Sequence, residues 1–505
     1  MQIVGTVFGI ETGARIKKLA GVSLDKYLSY YMRMALWNGS CIVNRKDSVD
    51  SFKSRRRTRG TAKSGAMAGS SRALRVGVAL TLIALAVRLL FVGAVGQRYD
   101  IRGYERWVLI LGHQMPWEFH SAAGYPPGYF VISFATARLY ALLTALGGGP
   151  NATLLVAMVK MPPILADIAA GWLIAGIVSM FSPRLALVAG AAWLFNPVGI
   201  IDSAYWGQID SLYWAPAVGA IWLALLARRD DRKTLPRTAW SWIAFGVAVL
   251  IKPQAAPVGI ALLAAAVFAP RNLLRRSLIG SAIGIAVGAC IGWATAALFS
   301  GLIAPWSAAA WVVRELAEGT NVLSFTSVNA FNLWAVAMPF YVPDSLRIAG
   351  VSLATVGLVL LAVTVVAVVA QFARLRSDRA LLEMAALLCL AGFILSTRMH
   401  ERYVEGAVML TVALIGCGRR WIAAAIILTC TTTINLLYGL AFSRLFDPAD
   451  PNKSITTLNL RDFWPLVSHP LSIVNVALLA ILLYGYFRDV TADTPPPRAV
   501  QATSG

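Results

Sequence analysis

The stretch Val351–Ala370, VSLATVGLVLLAVTVVAVVA, contains no charged side chain. A run of that length and polarity restricts what the chain can become. About 20 apolar residues in a helix cross the hydrocarbon core of a bilayer. In lipid every backbone polar group must be satisfied internally, so a spanning segment is a helix or part of a closed barrel. Comparable runs recur near residues 73–95, 162–181, 184–201, 211–227, 238–251, 254–270, 277–299, 346–372, 380–396, 403–417, 420–441 and 471–487. The 505-residue chain is 58% hydrophobic and 14% charged, with mean hydropathy +0.67, whereas a soluble chain carries roughly a quarter charged residues. The expected fold class is an all-α polytopic membrane protein with about twelve transmembrane helices.

The formal net charge is +21, which raises nucleic-acid binding as a function. The basic residues are instead spread over short loops between apolar runs: Arg72 and Arg75, Arg184, Arg228–Arg237, Arg271–Arg276, Arg374–Arg379, Arg419–Arg420 and Arg488. Every second loop is basic, the pattern of the positive-inside rule. It sets both termini in the cytoplasm and excludes nucleic acid as a partner. Pro126–Leu146 is apolar enough to span, but counting it would break that alternation. It is expected to lie as an interfacial or re-entrant helix in a long first outer loop, Gly96–Met161. Residues 1–72 read as a disordered basic cytoplasmic tail, with Met1–Ala66 an upstream extension because Met67 stands just before the first span. The membrane domain is expected over 73–487 and a second disordered tail over 488–505. The five cysteines, Cys41, Cys290, Cys389, Cys417 and Cys430, form no CxxC pair, so neither a disulfide framework nor a zinc site is expected.

On this topology the outer face collects most of the unusual polar residues. They are Asp100 and Glu105 in RYDIRGYERW, Tyr125 in HSAAGYPPGY, Lys160 and Asp167 in VKMPPILAD, and the run NPVGIIDSAYWGQIDSLYW with Asp202, Trp206, Gln208 and Asp210. IKPQAAP adds Lys252 and Gln254, TSVNAFNLW adds Asn329 and Trp334, and STRMHERY adds Arg398, His400, Glu401 and Arg402. Polar groups near membrane depth are costly and usually face a cavity or one another, so their convergence marks a site. Fixed cations among few acids suit a lipid-borne phosphate or pyrophosphate. An acid beside them suits a general base that takes a proton from an incoming hydroxyl. Tyr99, Trp107, Tyr125, Trp206 and Trp334 could stack on a sugar, or could form the interfacial aromatic belt. Lys160 and Asp167, two helical turns apart, could simply neutralise each other.

The ordered series Asp100, YPPGY, KMPPILAD, FNPVGIIDSAYWGQIDS, IKPQ, SVNAFNLW and MHERY resembles the GT-C superfamily of polyprenyl-phosphate-sugar glycosyltransferases. It looks most like bacterial relatives of the mannosyltransferases of GPI-anchor assembly. The resemblance covers roughly Leu74 to Leu440, and WGQIDS with MHERY is its most specific part. It implies an inverting glycosyltransferase in the plasma (inner) membrane, with its active site on the periplasmic or exterior side. The donor would be a polyprenyl-phosphate sugar such as the mannose form; the acceptor would be a glycan, a lipid or a cell-wall polymer, with membrane lipids as surroundings. The implied base is Asp100, with Lys252 and Arg402, and Lys160 or His400, stabilising the departing phosphate. Asp202, Trp206, Gln208, Asp210, Gln254, Tyr125 and Asn329 would line the substrate. Relatives often carry the acid as a DE or ED pair. Here Ile101 follows Asp100, which leaves Glu105 as the nearest second carboxylate. No cofactor is demanded; a divalent metal is compatible but no residue pattern requires one. Two other functions fit the same residues: a secondary transporter, which would carry midplane charges on broken helices, and a lipid-linked polysaccharide polymerase or ligase.

Overall fold

The computed structural model describes residues 58–94, 96–119, 124–147, 149–321, 323–445 and 460–488. The expected C-terminal tail beyond Arg488, which ends a helix, most of the N-terminal tail, and Cys41 lie outside the described residues. The chain divides into two compact units, Met1–Leu74 and Arg75–Gly505, and the candidate site is built wholly from the second.

Helix α1 (Thr58–Leu89) is followed by α2 (Arg98–His113), α3 (Pro127–Gly147), α4 (Ala152–Ser179) and α5 (Ala186–Leu194). A single helical turn, Pro197–Gly199, leads into a wide π-helical turn, Ile200–Trp206. Then come α6 (Asp210–Ala227), α7 (Thr234–Ile251), α8 (Ala256–Val267), α9 (Arg271–Ser300) and α10 (Pro305–Asn321). The remainder holds α11 (Leu353–Leu375), α12 (Asp378–Leu395), α13 (Glu405–Ala413), α14 (Arg419–Leu445) and α15 (Leu460–Arg488). Four two-residue strands sit in the loops: β1 (Ser327–Val328), β2 (Arg347–Ile348), β3 (Val351–Ser352) and β4 (Met399–His400). β1 pairs with β4 in parallel and β2 with β3 antiparallel.

The helical membrane class stands. Among the described residues nine helical segments are long and apolar enough to cross a membrane, rather than twelve. The shortfall has local causes. Eight of the expected spans are among the nine and α3 is the ninth; of the other four, Pro253–Val267 and Glu405–Cys417 are apolar but too short, α12 carries Asp378, Arg379 and Glu383, and α1 is not among the nine. The first expected span falls on α1, which starts at Thr58, inside the stretch expected to be disordered. The span expected from residue 162 begins earlier, at Ala152, because α4 runs straight through Pro162 and Pro163. An interior proline costs about 3 kcal/mol in an isolated helix, a cost membrane helices tolerate when neighbours satisfy the backbone. As a result Lys160 lies within a helix and not in an outer loop.

Side chains such as Val363 and Val366 on α11 point outward, 63% and 69% exposed. Lipid tails are the medium that accepts such a surface. Inside, α6, α12 and α13 form the centre, with Trp214, Tyr213, Met384, Leu387 and Met409 almost wholly buried. Where hydrophobic driving force between helices is absent, small residues allow close approach. The series Gly280, Gly284, Gly288 and Gly292 on α9 does this against α7. A Cβ on Gly280 would meet the Leu235 carbonyl at 2.6 Å, and one on Gly284 would run into the Ala239 carbonyl.

The stretch expected to be an interfacial or re-entrant helix, α3, is instead one of the nine segments that length and composition qualify as spans. Gly128 packs on Leu250, at the end of α7, and Phe130 on Phe299, at the end of α9. Further along, Ser133 and Thr136 face Val159, Pro162 and Leu212. Tyr140 then bonds to Asn151, the N-cap of α4. α2 is amphipathic, burying Ile101, Tyr104, Val108 and Leu111.

Candidate active site

The acidic half of the site is Asp100, in the first turn of α2. The Gln97 side chain caps that helix by accepting from Asp100 N at 2.7 Å. Asp100, Tyr104 and Trp107 share a face because residues four and seven apart in a helix stack. Asp100 Oδ2 accepts from Trp206 Nε1 at 3.0 Å and from Gln208 Nε2. Both bonds land on one oxygen; among the described residues Oδ1 accepts none. The two donors come from the π-helical turn. Its end is folded by the Asp202 backbone carbonyl, which accepts from Gly207 N at 3.0 Å and Gln208 N at 2.9 Å. Gly207 holds φ +86°, and a Cβ there would collide with Ile101. Only glycine takes this backbone at no steric cost, so the G of WGQID is a geometric necessity.

Tyr104 Oη donates to Gln208 Oε1 at 2.9 Å and lies 3.3 Å from Tyr125 Oη. Burial, then Tyr125 and Asp100, pushes the Tyr104 phenol well above its ordinary range, so it remains a donor. The Gln208 amide is therefore held at both ends, and its N–H is aimed at Asp100. Trp107, Tyr125 and Tyr129 complete an aromatic wall, with centroids 5.2 Å apart for Trp107–Tyr125 and 5.8 Å for Tyr125–Tyr129.

The cationic half is Lys252 and Arg402, joined through Asp210. Lys252 precedes Pro253, which disfavours helix for the residue before it. Lys252 is extended at φ −160°, ψ 132°, and breaks α7 from α8. Its Nζ lies 2.8 Å from Asp210 Oδ1, and over the rings of Tyr403 (4.8 Å) and Tyr213 (5.3 Å). Tyr213 Oη donates to the same carboxylate at 2.6 Å. Burial opposes the Lys252 charge, but Asp210 outweighs it and holds the amine above its ordinary range. Arg402 Nη1 donates to Glu401 Oε1 at 2.9 Å, Nε sits 3.3 Å from Asp210 Oδ2, and the guanidinium lies 5.7 Å from the Trp206 ring. Burial works against this charge too, but Asp100 and Glu401 keep it well above its ordinary value. Arg402 thus links the two halves of the site electrostatically.

Asp100, Trp206, Gln208, Asp210, Lys252, Arg402 and Tyr125 come together as expected. Other residues do not play the parts expected of them. Lys160 is fully buried and spends its ammonium on four backbone carbonyls, those of Ala94 (2.6 Å), Ala204 (3.0 Å), Tyr205 (3.0 Å) and Phe91 (3.3 Å). Three protons facing four acceptors leave nothing for a phosphate. Asp167 pairs with Arg88 of α1, accepting from Nε at 2.8 Å, and not with Lys160. Glu105 projects about 140° around α2 from Asp100 and touches none of these groups; burial raises its pKa against the pull of Arg102. His400 is driven well below its ordinary range by burial, with Arg402 and Lys252 adding to it, so it is neutral and adds no cation. Arg398 turns away to Asp344 at 2.7 Å. Asn329, at φ 61°, bridges to His400, and its carbonyl accepts from Asn435 at 2.6 Å. Asp202 is buried and, among the described residues, neither its carboxyl oxygens nor the buried Gln254 Oε1 has a hydrogen-bond partner.

Residues the sequence reading passed over include Tyr104, Arg88 and Glu405. Tyr104 sits four residues after Asp100, the spacing of a shared helix face. Arg88 is a lone charge inside an apolar run, which points to a buried partner. Glu405 follows MHERY and is buried, accepting from Ser211 at 2.8 Å. Among the described residues no three His, Cys, Asp or Glu side chains gather to hold a metal ion. A scan against protein-family models finds no match to this chain, and a search of curated proteins finds none either.

Proposed function

We propose that the protein is an inverting glycosyltransferase that moves a sugar from a polyprenyl-phosphate donor to a hydroxyl on a glycan, lipid or cell-wall acceptor. The observation that carries the reading is Asp100. This carboxylate is oriented through Oδ2 by Trp206 and Gln208, leaves Oδ1 unengaged, and faces a guanidinium across the site. In the proposed reaction Asp100 Oδ1 takes the acceptor's hydroxyl proton as the oxygen attacks the anomeric carbon. The bond from that carbon to the phosphate oxygen breaks on the opposite face, which inverts the centre. The departing lipid phosphate then meets the charges of Arg402 and Lys252. The wall of Trp107 and Tyr125 suits stacking on the sugar. Mannose as the sugar, the plasma membrane as the location, an outward-facing site and cytoplasmic termini belong to the same proposal.

The donor class is the point to test. Purified protein in lipid would be offered radiolabelled polyprenyl-phosphate mannose with a membrane-glycan extract, and in parallel a polyprenyl-pyrophosphate sugar. Transfer from the monophosphate with inverted anomeric configuration supports the proposal. Transfer from the pyrophosphate alone would replace it with a polymerase or ligase. A transporter is the second reading, favoured by the charges buried inside helices at Arg88, Asp167 and Asp202. Solute counterflow in the same vesicles, without any transfer, would establish it instead.

A further inference from the structure

In and around the candidate site lies a set of buried carboxyls whose charges do not balance. Asp167 on α4 has Arg88 at 2.5 Å. Asp210 on α6 has Lys252 at 2.8 Å and Arg402 at 3.3 Å. Glu401 has Arg402 at 2.9 Å. These three cations serve three carboxylates and are then used up, and the buried ammonium of Lys160 is spent on four backbone carbonyls. Two more acids share the same interior. Asp202, in the π-helical turn, is 0% exposed, and among the described residues neither of its carboxyl oxygens accepts a hydrogen bond. Glu405, at the start of α13, is 1% exposed; Oε1 accepts from Ser211 and Oε2 is unpartnered. Among the described residues no cation forms an ion pair with either.

A carboxylate taken out of water with no counter-ion and no donors is unstable, and such a group neutralises rather than remain charged. Lys252 and Arg402 are each already committed to Asp210.

We propose that Asp202 and Glu405 form a proton-binding site, each held as the neutral carboxylic acid at neutral pH. The site is coupled to the candidate base through one short piece of chain. The Asp202 backbone carbonyl accepts from Gly207 and Gln208, which places the Gln208 side chain on Asp100. Loss of the Asp202 proton puts a bare charge inside the turn that aims Trp206 and Gln208. The proposal does not depend on the transferase reading, and its test uses no substrate.

The test is infrared spectroscopy of the full-length protein in lipid at neutral pH, in light and heavy water. Wild type minus Asp202→Asn, and wild type minus Glu405→Gln, should each show the loss of one protonated-acid carbonyl stretch that shifts on deuteration. Loss of the paired carboxylate stretches instead would overturn the proposal for that residue. Asn and Gln match the neutral acids in shape, so both variants should keep the unfolding temperature of wild type; a large drop counts against the proposal. Wild type grown with carbon-13 carboxyl aspartate, and separately glutamate, reads the same bands with no substitution. Each label should shift an acid carbonyl band, and the absence of such a band overturns the proposal for that residue.

Discussion

At the scale of single residues the site separates aiming from chemistry. Tyr104 never touches Asp100 by a hydrogen bond, yet it fixes the Gln208 amide that does. Replacing it with phenylalanine removes one buried hydrogen bond, worth about 1 kcal/mol. The rate of transfer should then fall by about fivefold with the unfolding temperature nearly unchanged, as kinetics and thermal unfolding would measure. Lys160→Met should do the opposite. Stripping the ammonium from four carbonyls should cost about 3 kcal/mol or more of stability, read as a lower unfolding temperature. A mere rise in KM with stability intact would return Lys160 to the phosphate. His400 supplies a pH signature. Its folded pKa lies well below the ordinary value, so on acidification the unfolded chain binds the proton first. Stability should therefore fall as pH drops below about 6.5. His400→Asn should flatten that limb of a stability–pH curve.

At the scale of elements the decisive pieces are breaks in helices. The π-helical turn at Ile200–Trp206, the extended residue Lys252, and the β1–β4 pairing each present side chains that a continuous helix would bury elsewhere. Wide turns of this kind recur at functional sites. Much of this was legible beforehand. Lys252 beside Pro253 announces a break, and WGQIDS concentrates polar groups where a helix must stop. What was not legible was direction. Lys160 fell in the expected outer loop because the span was expected from residue 162, and only the fold shows that α4 starts at Ala152 and runs through Pro162 and Pro163. Nor could spacing along the chain reveal that the partner of Asp167 is Arg88, from α1. Breaking that pair by Arg88→Met should cost about 3–5 kcal/mol, because it strands a buried carboxylate. Adding Asp167→Leu should recover much of the loss, in a double-mutant cycle read by unfolding. The glycine series of α9 predicts a further effect: Gly284→Leu should separate α9 from α7 and lower the unfolding temperature markedly.

At the scale of the molecule, hydropathy alone identified a polytopic helical protein, because apolar runs of spanning length admit few other structures. The number of spans was harder, since short broken helices and the charged start of α12 satisfy no simple length rule. The convergence of Asp100, Gln208, Asp210, Lys252 and Arg402 was foreseen from the bias of polar motifs to one side. The division of labour among them was not, because ion pairing depends on geometry between distant segments. Asp210 ties the two cations together, and Asp100 faces them with one oxygen unengaged. The account therefore rests on Asp100 as the group that removes the acceptor's proton. The most direct test is sugar transfer from polyprenyl-phosphate mannose by wild type and Asp100→Asn, side by side in lipid. The account predicts transfer by wild type that falls at least a thousandfold, roughly 4 kcal/mol, in a variant that still folds and binds donor. Equal rates from the two proteins would contradict it.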